Sequence, residues 1–521
     1  MKKQVKIAFG VLILSASVLL YSFVISTPAL TIVNTGAGKV SGVKNSTGDV
    51  TAYKGIPFAA PPVGDLRWKA PQPAKHWDGV KKCDAFAASP MQPKPAPFMV
   101  YTSEFLIPEQ PISEDCLYLN VWTNAKLKTD KKPVYVWIYG GGFTSGGSAC
   151  PIYDGEAMAK KGVIFVSITY RVGAFGFLAH PELTKESPDK SSGNYALLDQ
   201  LEALKWVKHN IAAFGGDPEN VTIGGQSAGS MSVNCLVASP LGKGLFKRAI
   251  AESGSLLIKN PMLASSSLQK AEEQGVKLAE KVGAKSLAEM RALSAEDVLK
   301  KFSGRFSPIV DGYVLPESVA DIFGENKQNH VPLLTGWNGD EAFIGAYKNK
   351  EDFKKQAETD YGADAETFLK YFPAGSDEEA AASQIQLSRD MIFALSGYKW
   401  AGIQSKYPNS PVYVYNFNRK VPAYGDMAKY GAFHTAEVPY VMDDLKFLNR
   451  PLEPSDKALA KMMATYWVNF VKTGNPNGNG LPAWPKYNTS QNKAMVFDEK
   501  SVAKTVPGKG GLDFLLSKSA K

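Results

Sequence analysis

Ser227 lies at the centre of the sequence Gly-Gln-Ser-Ala-Gly, which fits the pattern Gly-x-Ser-x-Gly. The apolar run VTI comes directly before it, and a segment of small residues that predicts a helix follows. A tight turn between a strand and a helix projects a serine hydroxyl at the carboxyl end of the strand, and its glycines let the two elements approach closely. The five residues alone also fit an ordinary glycine turn. Their position between a strand and a helix predicts that Ser227 is a nucleophile.

A serine hydroxyl is too weakly acidic to attack a carbonyl unaided, so it requires a general base. In chains that carry this turn, an acidic residue and then a histidine follow the serine, and His330 and His434 are the histidines after Ser227. His330 comes before the predicted strand VPLLTG, at the edge of the sheet opposite the serine. His434 follows the predicted strand VYVYNF, so it is the predicted base.

The acid that orients the base is expected between Ser227 and His434, after another strand. Asp340 and Glu341 follow the run VPLLTGW. Both carboxylates have a suitable position, and position alone does not separate them. Because a triad uses one acid, at least one of the two is a solvated turn residue.

Three consecutive glycines, Gly140 to Gly142, follow the predicted strand VYVWI. Glycines let backbone amides approach a substrate oxygen with no Cβ in the way. The amides of Gly141 and Gly142 are the predicted donors to a developing oxyanion, with the amide of Ala228 as the third. A glycine run can be a simple loop, but its order before Ser227 favours a site that attacks carbonyl groups.

The elements around these residues alternate between strands and helices. VYVWIYG, VIFVSITY and VTIGG are typical of buried strands, and the spacing of apolar residues predicts a helix over Tyr195–Phe214. This alternation predicts an α/β fold with a mostly parallel central sheet covered by helices on both faces. Residues 255–305 have helical spacing and no strand signal, so we expect a helical insertion that either covers a site or has a purely structural role.

The 521 residues have an ordinary globular composition, with 44% hydrophobic and 21% charged residues, and a net charge of +9. No Lys/Arg-rich run or nucleic-acid motif accompanies this charge, so we expect no nucleic-acid partner. A basic start is followed by an uncharged run over residues 7–25. We therefore expect residues 1–29 to be a signal peptide or a membrane anchor, which implies an exported protein, periplasmic or extracellular. Residues 30–521 contain no linker-like stretch and are expected to form a single domain.

The chain has four cysteines, at positions 83, 116, 150 and 235. Export permits disulfides, and an even number of cysteines allows three pairings. None of the cysteines has the C-x-x-C spacing of a zinc or redox site, and no pattern implies a metal ion or an organic cofactor.

Longer segments of the chain resemble the type-B carboxylesterase family, which includes cholinesterases, some fungal lipases and bacterial esterases. The resemblance covers nearly the whole chain after the N-terminal segment. The most specific segment is GNYALLDQLEALKWVKHNIAAFGGDPENVTIGGQSAG at 193–229. The other segments are SEDCLYLNVW at 113–122, WIYGGGF at 137–143, YRVGAFGFL at 170–178, LFKRAIAESG at 245–254, GWNGDEAF at 336–343, GAFHTAEVPYV at 431–441 and WVNFVKTGNPN at 467–477.

The resemblance implies an α/β-hydrolase fold with helical insertions and the hydrolysis of small-molecule esters through an acyl-enzyme. It assigns the acid to Glu341 rather than Asp340. It also implies that Ser253 supports the triad residues without being one of them. It also implies a disulfide between Cys83 and Cys116. The full set of residues that the resemblance assigns is Ser227, Glu341 and His434 as the triad and Gly141, Gly142 and Ala228 as the oxyanion hole.

Two of the departures from the family pattern bear on the substrate. Gln226 stands where many relatives have Glu, which weakens the negative field of the site. Leu106 replaces the Trp with which cholinesterases hold a quaternary ammonium, so we expect no activity on choline esters.

Two other functions compete with the esterase hypothesis. An extracellular binding or adhesion protein could keep this fold without a nucleophile, but all the expected catalytic residues are present here. A lipase would carry an exposed apolar lid, which residues 255–305 do not indicate. The sequence leaves the oligomeric state and the natural ester open.

Overall fold

The computed structural model describes residues 30–258, 267–342 and 348–519, so the predicted leader over residues 1–29 lies outside the described residues. The strands are β1 Ile32–Asn34, β2 Lys39–Ser41, β3 Val43–Lys44, β4 Thr51–Pro57, β5 Val80–Lys82, β6 Ser89–Pro90, β7 Ile112–Ser113, β8 Tyr118–Thr123, β9 Lys132–Ile138, β10 Ile164–Ile168, β11 Gly216–Gln226, β12 Arg248–Glu252, β13 Leu333–Asn338, β14 Val412–Phe417, β15 Lys493–Phe497 and β16 Val502–Thr505. The α-helices are α1 Glu156–Lys160, α2 Gly173–Phe177, α3 Pro181–Glu186, α4 Tyr195–Asn210, α5 Ala228–Ala238, α6 Leu268–Lys281, α7 Leu287–Ala292, α8 Ala295–Lys301, α9 Val319–Gly324, α10 Lys350–Tyr361, α11 Ala365–Tyr371, α12 Asp377–Arg389, α13 Leu395–Gln404, α14 Val438–Val441, α15 Pro454–Thr473 and α16 Lys509–Lys518.

Within the described residues, the largest sheet has eleven strands in the order β16-β15-β14-β13-β12-β11-β9-β10-β8-β4-β3. The strands from β15 to β10 in this order pair in parallel, and antiparallel strands flank them at both edges. The prediction of a mostly parallel central sheet is confirmed. Parallel strands place all their carboxyl ends at one edge, which gathers the loops after β9, β11, β13 and β14.

Helices cover both faces of this sheet. Thr222 on β11 donates its hydroxyl to the carbonyl of Val471 on α15. Three residues later on the same strand, a Cβ on Gly225 would lie 2.6 Å from the backbone of Gly229 on α5. Residues an odd number apart on a strand point to opposite faces, so α15 and α5 lie on opposite sides. This double cover explains why β9 and β10 are apolar over most of their length rather than alternating.

The predicted helix over Tyr195–Phe214 is present as α4, extended by a 3-10 turn that ends before Gly215 in the left-handed conformation. Helices α6 to α8 confirm the helical character of the described part of residues 255–305. These helices pack on Trp68 and Phe175. Strand β12 was missed in the sequence because its five residues begin with Arg248 and end with Glu252, which leaves too short an apolar run. Among the described residues, no helix has the length and apolar character that crossing a membrane requires.

The expected Cys83–Cys116 disulfide is wrong, because all four cysteines are free and buried. The carbonyl of Cys83 accepts the amide of Lys54, and the carbonyl of Leu117, next to Cys116, accepts the amide of Phe58. The segments that carry the two cysteines therefore pair with different residues, Lys54 and Phe58, and the structure forms no bond between the two sulfurs.

This arrangement predicts four titratable thiols per chain in protein unfolded in guanidinium without reductant, measured with dithionitrobenzoate. In the folded protein we expect almost no reaction, because burial raises the pKa of Cys83 to about 11 and that of Cys116 well above the ordinary range. A titre of two thiols in the unfolded protein would instead establish one disulfide.

Candidate active site

Ser227 lies in a strained turn between β11 and α5. Its φ of 58° and ψ of −125° fall in a region that residues other than glycine rarely adopt. The turn is this tight because α5 packs directly on β9: a Cβ on Gly229 would lie 2.0 Å from the carbonyl oxygen of Ile138. The amide of Ser227 donates to the carbonyl of Glu252 on β12, which fixes the turn to the next strand. The strand–turn–helix context predicted from the sequence is confirmed.

His434 and Glu341 form a buried pair near Ser227. The imidazole Nδ1 lies 2.8 Å from the Glu341 carboxylate Oε2. The side chain of Glu341 is fully buried and that of His434 is 7% exposed. Glu341 lies in the loop after β13 and His434 in the loop after β14, both at the carboxyl edge of the sheet. The structure therefore brings together the two residues that the sequence placed after different strands.

Besides the imidazole, two groups hold the Glu341 carboxylate. Its Oε1 accepts the hydroxyl of Ser253 at 3.0 Å and the amide of Asn338 at 2.8 Å. Burial raises the pKa of Glu341 to about 8, and these two hydrogen bonds and the charge of Arg389 act in the opposite direction. Burial also lowers the pKa of His434 to about 4. Burial disfavours charge on either group. Without substrate, the pair therefore favours a state with no net charge, in which one proton is shared between the Glu341 Oε2 and the His434 Nδ1.

Asp340 has a different position from its neighbour. Its Oδ2 accepts the amide of Ala432 at 2.8 Å, and its own amide donates to the Ala432 carbonyl. Asp340 thus connects the loop after β13 to the loop that carries His434. Of the two carboxylates that the sequence left open, Glu341 contacts the imidazole, and Asp340 ties the two loops together.

The glycine loop after β9 approaches the Ser227 turn closely. A Cβ on Gly140 would lie 3.0 Å from the Ser227 Cβ. Gly141 has a φ of 118°, and a Cβ there would lie 2.2 Å from the Ser145 carbonyl oxygen. The conformation and the lack of space together require glycine at this position. Gly141, Gly142 and Ala228, the predicted oxyanion donors, lie in the same cavity wall as Ser227.

A cavity of about 610 Å³ opens onto Ser227, His434 and the glycine loop. Such a volume suits a small organic molecule. The rest of the wall is mainly apolar and includes the side chains of Phe98, Tyr101, Phe105, Leu106, Ile107, Met231, Ile392 and Phe393. Helices α6 to α8 do not contribute to the wall within the described residues, so this part of the helical insertion packs elsewhere.

Several residues near His434 were not predicted as site residues. Phe393 stacks on the imidazole with ring centroids 4.3 Å apart, and the Tyr101 hydroxyl donates to the His434 carbonyl. Glu437, one turn after His434, is buried and accepts the side-chain amide of Asn338. These residues come from distant segments with ordinary patterns, so no local signal in the sequence identifies them.

Gln226, predicted to lie beside the site, has its amide nitrogen 3.1 Å from the Nε2 of His434. The other histidine considered as base, His330, is exposed and bonds to Asn326. In the described part of the chain, no cluster of three or more His, Cys, Asp or Glu side chains could hold a metal ion.

The chain is similar to carboxylesterases over nearly its whole length. The model of the carboxylesterase family matches residues 29–514. A solved structure described as PNB esterase superposes with a TM-score of 0.76 at 33% identity, covering 93% of this chain and 100% of that chain.

Curated relatives cover most of the chain as well. The para-nitrobenzyl esterase of Bacillus subtilis is 35% identical over 91% of this chain and 96% of its own length. The fumonisin B1 esterase of Sphingopyxis macrogoltabida is 35% identical over 87% of this chain and 84% of its own length. The human carboxylesterase 5A is 32% identical over 87% of this chain and 83% of its own length.

Proposed function

The chain belongs to the carboxylesterase family and is a carboxylic ester hydrolase with an α/β-hydrolase fold; we propose that Ser227, His434 and Glu341 are its catalytic triad. The contact between the His434 Nδ1 and the Glu341 Oε2, beside the cavity that holds Ser227, is the observation that carries this proposal. This is the arrangement that a serine nucleophile requires.

In the proposed reaction, the Ser227 hydroxyl attacks the ester carbonyl while the Nε2 of His434 accepts its proton. The imidazolium then gives the proton to the leaving alcohol, and the acyl group stays on Ser227. Water attacks this acyl-enzyme with the same base, which releases the acid and regenerates the serine. Glu341 holds the proton on Nδ1, which leaves the lone pair of the imidazole on Nε2.

The amides of Gly141, Gly142 and Ala228 are the proposed donors to the oxyanion. Two observations support this assignment. The glycine loop lies against the Ser227 turn, and Ala228 begins α5, where the helix dipole favours negative charge. The proposal involves no metal ion or cofactor.

We propose small, uncharged carboxylic esters as substrates. The wall of the cavity is mainly apolar, and Gln226 places an uncharged amide rather than a carboxylate next to the imidazole, which supports uncharged substrates. Leu106 lies in this wall without the aromatic face that a quaternary ammonium would need.

Hydrolysis of nitrophenyl esters of increasing acyl length tests the function. We expect kcat/KM to rise with acyl length until the chain fills the cavity of about 610 Å³ and then to fall. Release of nitrophenolate at 405 nm reports the rate. No hydrolysis of any ester in the series would contradict the proposal and favour a binding protein with this fold.

The buried pair predicts activity that increases with pH. In the neutral pair the Nε2 of His434 carries a proton, so it becomes an acceptor only after the pair has lost one proton, and burial raises the pKa of Glu341 to about 8. We therefore expect kcat/KM to rise through the neutral range towards about pH 8. Replacing Ser253 with Ala removes a hydrogen bond that stabilises the ionised carboxylate. In this variant the rise of kcat/KM with pH, the acid limb of the profile, should therefore lie at higher pH. A Ser253→Ala profile that coincides with that of the wild type would contradict this role.

We further propose that residues 30–521 form one hydrolase domain and that the protein is exported, with residues 7–25 as a cleaved signal or a membrane tether. The central sheet supports the first proposal, because its strands extend from β3 to β16 across the described chain. The basic start and the uncharged run in the sequence support the second.

A further inference from the structure

A π-helical turn over Asp390–Ala394 separates α12 from α13. In this turn the amide of Leu395 donates to the carbonyl of Asp390, five residues earlier rather than four. Such single turns are frequent at functional sites, and the extra residue redirects the side chains around it. Here the turn carries Ile392 and Phe393 into the wall of the cavity. The proposed reaction gives this turn no role.

Phe393 makes a specific contact with the proposed base. Its ring lies nearly parallel to the imidazole of His434, with an angle of 21° between the planes and 4.3 Å between the centroids. His434 becomes an imidazolium each time it accepts the serine proton. An aromatic face attracts a cation more strongly than a neutral ring, and more so in a buried site. The contact is therefore stronger after proton transfer than before it, as acceleration of the reaction requires.

The last residue before the turn contacts the loop that carries the proposed acid. Arg389 donates from Nη1 to the carbonyl of Gly339 at 2.9 Å and from Nε to the Asp390 carboxylate at 2.8 Å. Gly339 lies two residues before Glu341. The charge of Arg389 also acts to lower the pKa of the Glu341 carboxyl. The same turn of helix thus reaches both members of the buried pair.

Four other groups surround the imidazole of His434, and none of them is an aromatic ring stacked on it in the described part of the chain. Glu341 contacts Nδ1, and the charge of Glu437 favours the imidazolium. Gln226 presents an uncharged amide, and burial raises the pKa of Tyr101 above the ordinary range, so its hydroxyl stays neutral. Phe393 provides the aromatic face that the structure stacks on the imidazole.

We propose that the π-helical turn is a positioning element for the triad, in which Phe393 stabilises the imidazolium form of His434 and Arg389 fixes the loop that carries Glu341. This inference rests on the proposed function. It assigns a role in the reaction to a segment that lies far from every catalytic motif in the sequence.

Opposite pH shifts in two variants of the full chain test the proposal. Replacing Phe393 with Leu removes stabilisation of the imidazolium, so the acid limb of kcat/KM should move to lower pH and kcat should fall about tenfold. Replacing Arg389 with Gln removes a charge that stabilises the Glu341 carboxylate, so the acid limb should move to higher pH. Nitrophenyl acetate is the substrate, because its short acyl group makes least use of the cavity wall.

Matched variants separate this role from packing. Phe393→Tyr keeps the ring and should retain the position of the acid limb. Ile392→Leu alters the same wall from the same turn, and we expect it to change KM without a shift of the limb. Thermal unfolding identifies a variant that is not folded, and Phe393→Met then replaces Phe393→Leu as a ring-free side chain of similar volume.

Three results would overturn the inference: unchanged acid limbs, shifts of the same sign in both variants, or an effect of Phe393→Leu on KM alone. If the wild type hydrolyses no ester, the proposed function fails. The turn is then tested by the downfield proton resonance of the His434 Nδ1–H, whose titration midpoint should still fall in Phe393→Leu.

Discussion

Replacing Ser227 with Ala should lower kcat by on the order of 10⁴ to 10⁶, because no other group can form the acyl-enzyme and only binding and oxyanion stabilisation remain. The substitution removes one hydroxyl from a turn whose backbone is fixed by β12 and α5. We therefore expect KM and the thermal unfolding midpoint to change little. Steady-state hydrolysis of a nitrophenyl ester measures the loss, and mass spectrometry after a rapid acid quench detects the acyl group on the wild type.

A second serine of the same cavity gives the matched control. Ser145 lines the wall and donates its hydroxyl to the Gly141 carbonyl. Loss of one such hydrogen bond costs about 1 kcal/mol, so Ser145→Ala should lose at most about tenfold. If Ser227→Ala retained more than about a hundredth of the wild-type kcat, or still trapped an acyl group, another nucleophile would be responsible.

Local signals in the sequence predicted the chemistry-bearing turns well. Ser227, Gly141 and Gly142 lie in short motifs whose glycines indicate tight turns, and a strand precedes each motif. Apolar runs such as VYVWI predicted the parallel strands because both faces of the sheet are covered. The fold class followed from their alternation with helices.

Contacts between distant segments were less predictable. No periodicity or motif in residues 377–404 indicates that Phe393 contacts His434, because that contact depends on a π-helical turn and on the packing of the helix over the sheet. The Cys83–Cys116 disulfide failed for a related reason. Cysteine spacing carries no information about the different residues, Lys54 and Phe58, with which the two segments pair.

Position in the sequence also left Asp340 and Glu341 undecided, and their different contacts predict different losses. Glu341→Gln presents an amide to the imidazole; its N–H can donate to Nδ1, which leaves the proton on Nε2, where it blocks acceptance from Ser227. The same change of an acid to its amide in another serine triad costs about 10⁴ in kcat. Asp340→Asn keeps an oxygen that accepts the Ala432 amide, so its loss should stay within about tenfold.

The pH profiles of these two variants provide a second and independent measurement. With Gln at position 341, the carboxyl with a pKa of about 8 is gone, and burial holds the pKa of His434 near 4. The residual kcat/KM of Glu341→Gln should therefore be nearly constant from about pH 6 to pH 9. Asp340→Asn should keep the acid limb of the wild type. If Asp340→Asn lost the limb and Glu341→Gln retained it, the roles of the two carboxylates would be reversed, with Asp340 as the acid that orients the base.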